Sequence, residues 1–221
     1  MRIAGGIHRS RKLHSPPETA ETRPIPARVK QSLFNILRGH TENAVVVDLF
    51  AGTGAIGLEA ISHGAARAVF VERDKRMAAV LQQNIDELGE TAKTTVLLGD
   101  AMNPVTIARL PERIDLAFMD PPYPLTMDMR TWSKIHAQAE RLVERLAPDG
   151  YLILRTPWPL RLESASLELS GADGPETHVY RQTAAHLYAP ASSEPASIEA
   201  TSTESAPIDP TPADTGDEVA K

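Results

Sequence analysis

Cysteine is absent from the 221 residues. Without thiols there is neither a disulfide framework nor a thiolate metal site. The seven histidines are scattered, with no close pair at metal-ligand spacing, so no metal centre is expected. No apolar run approaches the roughly 18 residues of a membrane span, and the first residues lack the apolar core of a secretory leader. These absences lead to the expectation of a soluble, cytoplasmic, monomeric protein with no membrane partner. The length suffices for one α/β domain with a sizeable core and appendages.

Net charge is −6, which by itself argues against a nucleic-acid partner. Its distribution says something else. Residues 1–38 carry eight basic side chains against two acidic ones, whereas residues 190–221 carry seven acids and one lysine. Such asymmetry suggests a basic arm that meets phosphate and an acidic tail that does not. The candidate phosphate contacts are Arg2, Arg9, Arg11, Lys12, Arg23 and Arg28.

Along the chain, apolar runs alternate with helical periodicity. Val29, Leu33, Ile36 and Leu37 predict a short amphipathic helix over 28–38, and Val45-Val46-Val47 predicts a buried strand ending at Asp48. A helix is expected from about Gly54 to His63, with Gly64 as its cap. Ala68–Val71 reads as a strand ending at Glu72. Asp74 can cap the next helix, whose Met77, Val80, Leu81, Ile85 and Leu88 share one face before Gly89 stops it. A third strand runs from Thr95 to Leu98 and closes in Gly99-Asp100; a fourth runs from Ile114 to Met119. A helix over 128–147 and a strand at Tyr151–Leu154 follow, with further strands expected near Leu162–Leu169 and His178–Tyr188. Trp132 falls on an apolar helical face and reads as core. Trp158, between two prolines, could pack or stack. His63 reads as a helix-end partner. Beyond Pro190 the composition turns to Ser, Thr, Pro, Ala and acids, and disorder is expected. The chain thus divides into a basic arm and short helix (1–40), an α/β domain (41–189) and a tail (190–221).

Strands alternating with helices predict a mostly parallel sheet covered on both faces, with ligands at the carboxyl ends of its strands. Asp48, Glu72, Asp100 and Asp120 all fall at such ends. The loop Gly52-Thr53-Gly54-Ala55-Ile56-Gly57 fits Gly-x-Gly-x-x-Gly, a pattern shared by several cofactor classes. Glu72 suits ribose hydroxyls in any of them. A carboxylate at Asp48 suits an ammonium group and would be unwelcome beside a pyrophosphate. Asp100 can accept from an adenine amine. S-adenosylmethionine needs both contacts, so a dinucleotide becomes the second choice. After the fourth strand, Asp120-Pro121-Pro122-Tyr123 forms a stiff turn with carbonyls expected to point outward. A planar base bearing an amine could be gripped edge-on there and stacked on Tyr123.

With these residues in view, the chain resembles the class I S-adenosylmethionine-dependent methyltransferases. It is most similar to the bacterial family that methylates guanine N2 in 16S ribosomal RNA, the guanine-966 enzymes. The likeness covers roughly residues 1–188. It rests on Arg2-Ile3-Ala4-Gly5-Gly6, Arg11-Lys12-Leu13, Thr22-Arg23-Pro24, Arg28-Val29-Lys30, Leu33-Phe34-Asn35-Ile36-Leu37 and the run Asp48 to Ala60. Val71-Glu72, Gly99-Asp100-Ala101 and Asp120-Pro121-Pro122-Tyr123 complete it. The resemblance implies a seven-stranded Rossmann-like sheet and transfer of a methyl group from S-adenosylmethionine to a guanine N2 amine. The substrate it implies is 16S ribosomal RNA within a small-subunit ribonucleoprotein particle. It assigns catalysis to Asp120, Pro121, Pro122 and Tyr123. Cofactor contacts fall on Asp48, Phe50, Ala51, Gly52, Thr53, Gly54, Gly57, Glu72, Arg73, Asp100 and Ala101. Ile25-Pro26-Ala27, His8 and Ser10 depart from the family pattern, which bears on the arm and not on Asp120. The rival readings are a DNA amino-methyltransferase acting on adenine N6 or cytosine N4, and a cofactor-binding RNA scaffold without catalysis.

Overall fold

The apolar runs within Val45–Asp48, Arg67–Glu72 and Ile114–Met119 form strands, and amphipathic runs form helices laid across them. The fold is taken from a computed structural model in which residues 1–16, 25–162 and 165–192 are described. In chain order the elements are α1 (Ala27–Ile36), β1 (Val45–Asp48), α2 (Gly57–Ser62), β2 (Arg67–Glu72), α3 (Lys75–Leu88) and β3 (Thr94–Leu98). There follow α4 (Pro104–Ala108), β4 (Ile114–Met119), α5 (Met129–Val143), β5 (Leu146–Pro157), β6 (Ala172–Tyr180) and β7 (Thr183–Pro190). The strands make one sheet in the order β3-β2-β1-β4-β5-β7-β6. Pairing is parallel from β3 through β5, and β7 is antiparallel to both β5 and β6. Strand order reverses direction between β1 and β4, so the crevice beyond their carboxyl ends is where such a sheet binds its ligand.

Strand alternation distributes two cores. Val46, Phe70 and Phe118 face α1, α2 and α3 with Leu33, Phe34, Leu58, Ile61 and Leu81. Val47, Val69, Ala117 and Leu152 face α4 and α5 with Ile107, Trp132, Ile135 and Leu142. Trp132 is therefore core, as its helical position predicts. Capping sets the helix starts: Asp74 accepts from Arg76 N–H, and Asp128 accepts from the N–H groups of Arg130 and Thr131. Among the described residues no helix is long and apolar enough to cross a membrane.

Four expectations need correction. The helix after the glycine loop begins at Gly57, because residues 52–56 are used in turns. Helix α5 ends at Val143, and the chain is already β5 at Leu146, which pairs with Ile114; a bulge holds the Pro148-Asp149-Gly150 stretch. The segment expected as a strand near Leu162–Leu169 forms none among its described residues. It lies over α5, where side chains take the place of a ladder: the Tyr188 hydroxyl donates to the Leu167 carbonyl and His136 Nε2 to that of Glu168. His178–Tyr188 is not one strand but a hairpin, turned at Arg181, whose φ is 53°.

Strand β7 runs to Pro190, where the tail is expected to begin, and Ala191 N–H donates to the Gly171 carbonyl. Residues 193–221, and Arg23 in the arm, lie outside the described residues. Small helix α4, capped by Asn103 with Pro104 in its first turn, had no counterpart in the sequence reading.

Candidate active site

The four carboxylates do gather on one rim. Asp48 is the last residue of β1 and Glu72 the last of β2; Asp120 follows β4 directly, and Asp100 stands two residues past β3. Asp120 is close enough for its charge to bear on Asp48, and Glu72 adds to the negative field there. Asp48 is buried, with Oδ2 accepting from the Gly57 N–H at 3.0 Å. Its Oδ1 is buried with no hydrogen-bond partner among the described residues. Burial first, then the charges of Asp120 and Glu72, push its carboxyl up to about 7 against the pull of the Gly57 bond.

The glycine loop is shaped by what lies beneath it. Gly54 has φ of 83°, and a Cβ there would sit 2.3 Å from Leu81 Cδ1. At Gly57 a Cβ would meet the buried Phe70 ring at 2.3 Å, so the glycine lets α2 settle onto β2. Glu72 fastens the loop from the other side. Its Oε2 accepts from Gly52 N–H and its Oε1 from Asp74 N–H, both at 2.8 Å. Each oxygen keeps a lone pair for a hydroxyl. Thr53 and Ala51 are buried, Phe50 is half-buried, and the Thr53 carbonyl accepts from Asn84 on α3. Across the rim Asp100 is exposed and turns its Oδ1 to Met102 N–H, while Ala101 is buried; Arg73 is exposed beside Glu72.

Asp120-Pro121-Pro122-Tyr123 leads from β4 into a short 3-10 turn over Tyr123–Thr126. Not all its carbonyls point outward, as the sequence had suggested. That of Pro122 accepts from Leu125 N–H at 2.9 Å, and that of Tyr123 from the Thr126 hydroxyl. Tyr123 is partly exposed. Asp120 has a partner that the sequence reading missed. Arg155 of β5 reaches its Oδ1 with both Nε and Nη2 at 2.7 Å. Burial raises the Asp120 pKa, and the Arg155 charge and hydrogen bonds draw it back. The available signal was a lone cation in the otherwise uncharged run Leu152-Ile153-Leu154-Arg155-Thr156.

The basic arm does not join this rim as a unit. Residues 1–13 fold back on themselves through the Arg2–Lys12 bridge, and Ile3 and Leu13 enter the core. His8 meets Ser62 and Glu90, and Arg11 donates to the Glu87 carbonyl. Those partners lie at or just past the trailing ends of α2 and α3, whose leading ends are at the rim. Arg9, Arg11 and Lys12 are exposed there, away from Asp120. Arg28 opens α1, whose Lys30 reaches the Ala55 carbonyl in the glycine loop, so it lies nearer the rim.

The sheet order with an antiparallel β7, and acidic strand ends around a glycine loop, define a class I methyltransferase fold. The chain spans 60% of the length of a 37% identical relative, the ribosomal RNA small subunit methyltransferase D of Escherichia coli strain K12. That match covers 123 residues, 56% of this chain. The chain belongs to the family described as Conserved hypothetical protein 95, matched over residues 1–168, a family of class I S-adenosylmethionine-dependent methyltransferases. The Haemophilus influenzae ribosomal RNA small subunit methyltransferase D is 29% identical over 171 residues, 70% of this chain and 86% of that one. Among solved structures, yhhF of Escherichia coli superposes with a TM-score of 0.69 at 28% identity, covering 86% of this chain and 97% of that one.

Proposed function

We propose that this protein methylates the exocyclic N2 amine of a guanine in small-subunit ribosomal RNA, using S-adenosylmethionine, in the cytoplasm and as a monomer. The observation that carries the reading is at the switch point, where Asp48 and Asp120 end adjacent strands. One offers a buried unpartnered oxygen on the cofactor side, the other a carboxylate at the head of a rigid Pro-Pro turn.

The residues present fit the cofactor. Asp48 Oδ1 lacks a donor, and an ammonium group would supply one. Glu72 offers two oxygens to a ribose diol, and Asp100 an acceptor to an adenine amine. Phe50, Ala51, Gly52, Thr53, Gly54, Gly57, Arg73 and Ala101 complete the lining. When bound, S-adenosylmethionine supplies an electrophilic methyl group. Asp120 and the Pro121 carbonyl then accept from the two N–H bonds of the target amine. Such bonds localise the nitrogen lone pair and stabilise positive charge growing on it. Pro122 stiffens the grip, and Tyr123 holds the extruded base by stacking. Asp120 has no need to be a strong base, because the alkylated nitrogen loses its proton readily.

Basic side chains hold phosphate and orient the RNA without reading sequence. In this reading residues 1–40 serve that role with Arg2, Arg9, Arg11, Lys12, Arg23 and Arg28, residues 41–189 carry the chemistry, and the tail carries none. The relatives named as small-subunit methyltransferases support the choice of RNA. The test is methyl transfer from labelled cofactor to small-subunit particles, naked ribosomal RNA and DNA, with the product nucleoside identified by mass spectrometry. N2-methylguanine in the ribosomal RNA is expected. N6-methyladenine, or product in DNA alone, overturns the reading.

A further inference from the structure

An arginine and a carboxylate usually meet fork to fork, with one N–H for each oxygen. Arg155 and Asp120 do not. Nε donates to Oδ1 at 2.7 Å and Nη2 lies 2.7 Å from the same oxygen, so two guanidinium nitrogens converge on one carboxylate oxygen. The pair is deep in the fold, with the two side chains 8% and 16% exposed. Strand register places it there. Met119 pairs with Leu154, so the next residues, Asp120 and Arg155, stand side by side at the sheet's edge. On its other side Arg155 is opposite buried Ala185 of β7, which leaves the long side chain room to turn toward β4.

A buried ion pair is weak evidence for stability, since desolvating both charges offsets much of their attraction. Its geometry is more informative. A carboxylate held at one oxygen has its plane and rotamer fixed, while the other oxygen stays available in a known direction. We infer that Arg155 is a positioning residue that locks Asp120 through Oδ1 and so presents Oδ2 to the amine of the substrate base. The inference rests on the proposed methyltransferase reading and gives its acceptor an orienting partner. It also assigns the pair a division of labour: Arg155 keeps the carboxylate charged and still, and Asp120 accepts without abstracting.

The charged groups facing Asp120 are Asp48 from β1 and Arg155 from β5, with Glu72 of β2 beyond Asp48. Removing the guanidinium takes away the two influences that lower the Asp120 pKa and leaves burial, which raises it. The carboxyl then needs a higher pH to ionise, and the acidic limb of the rate profile moves up.

The experiment compares wild type, Arg155→Met and Arg155→Lys in three measurements: S-adenosylhomocysteine affinity by calorimetry, kcat and KM on small-subunit particles, and kcat against pH. Arg155→Met is expected to hold S-adenosylhomocysteine within about threefold of wild type. Its kcat should fall on the order of 100-fold, as for loss of one preorganised contact, with KM little changed. Its acidic limb should lie at higher pH. Arg155→Lys should restore the limb and only part of kcat, because it keeps the charge and loses the planar guanidinium hold on Oδ1. An active wild type with an Arg155→Met kcat within threefold, or with losses spread equally over kcat, KM and affinity, overturns the inference alone. A wild type that methylates no RNA overturns the functional reading and the inference with it. If Arg155→Met does not fold, Arg155→Lys decides: a wild-type kcat overturns the inference, and a roughly tenfold loss with an unmoved limb upholds it.

Discussion

On the proposed reading Asp48 binds the cofactor, and there it sets function against stability. Its folded pKa is raised to about 7 from an ordinary value of 3.8, so the native state holds that proton more tightly than the unfolded chain. The sign follows by linkage. Its contribution is most favourable below about pH 4, falls as pH rises, and is lost above about pH 7. The full loss is on the order of 4 kcal/mol. Asp48→Asn keeps an acceptor for the Gly57 N–H and cannot ionise. The apo variant should therefore melt higher than wild type at pH 8, with the two curves converging near pH 4. Cofactor affinity should collapse, because the neutral amide cannot pair with an ammonium. Thermal melts across pH with calorimetry at pH 8 check both halves; a variant less stable than wild type at pH 8 would count against the burial argument. Asp120 differs in its partner. Asp120→Ala should bind S-adenosylhomocysteine almost as wild type does while turnover drops on the order of 100- to 1000-fold, which single-turnover assays on the same particles can read.

Among the elements, the least visible from sequence is the clamp that fixes residues 1–5. Glu59 on α2 is fully buried and accepts from the N–H groups of Ala4 and Gly5, while Lys30 of α1 lies 2.6 Å from its Oε2. The Phe34 ring continues α1 inward, stacked between His63 and Phe118 on the strand that leads to Asp120. Lys30→Met would strand a buried carboxylate, at a cost of roughly 3–5 kcal/mol. A fall in melting temperature on the order of 10 °C is expected, with substantial recovery in Lys30→Met/Glu59→Gln, where no charge is left unpaired. Equal melts for the single and double variants would show that the pair's charge is immaterial. No local pattern announces this clamp, because its partners are 55 residues apart in sequence. Strands β1, β2 and β4 were legible since both faces are buried and the apolar runs are unbroken. The end of α5 was not: Leu146 continues the helical spacing of Ile135, Ala139 and Leu142, yet it pairs with Ile114 in the sheet. The four carboxylates were readable from their places at strand ends. Arg155 was not assigned, because its role depends on the register between two strands.

At the scale of the whole molecule, the proposed reading makes the positions of the cations a constraint on the substrate. Arg9, Arg11 and Lys12 are at the trailing ends of α2 and α3, while Asp120 lies at the rim where those helices begin. Helix α3 alone has 14 residues, so roughly 20 Å separates the two regions at 1.5 Å per residue. A short oligonucleotide that places its guanine at Asp120 leaves that patch empty. A folded RNA or ribonucleoprotein can touch both, and its shape can then choose the guanine without a separate recognition domain. Methylation should accordingly be faster on small-subunit particles than on short hairpins carrying the same guanine. Neutralising Arg9, Arg11 and Lys12 together should weaken binding to particles and flatten its salt dependence by up to about three phosphate contacts. The same change should leave the modified nucleotide and the slow reaction on hairpins as they were. Filter binding at several salt concentrations, with mass-spectrometric mapping of the product, measures both effects. Hairpins methylated as fast as particles, or an unchanged salt slope in the triple variant, would mean that the rim alone selects the base.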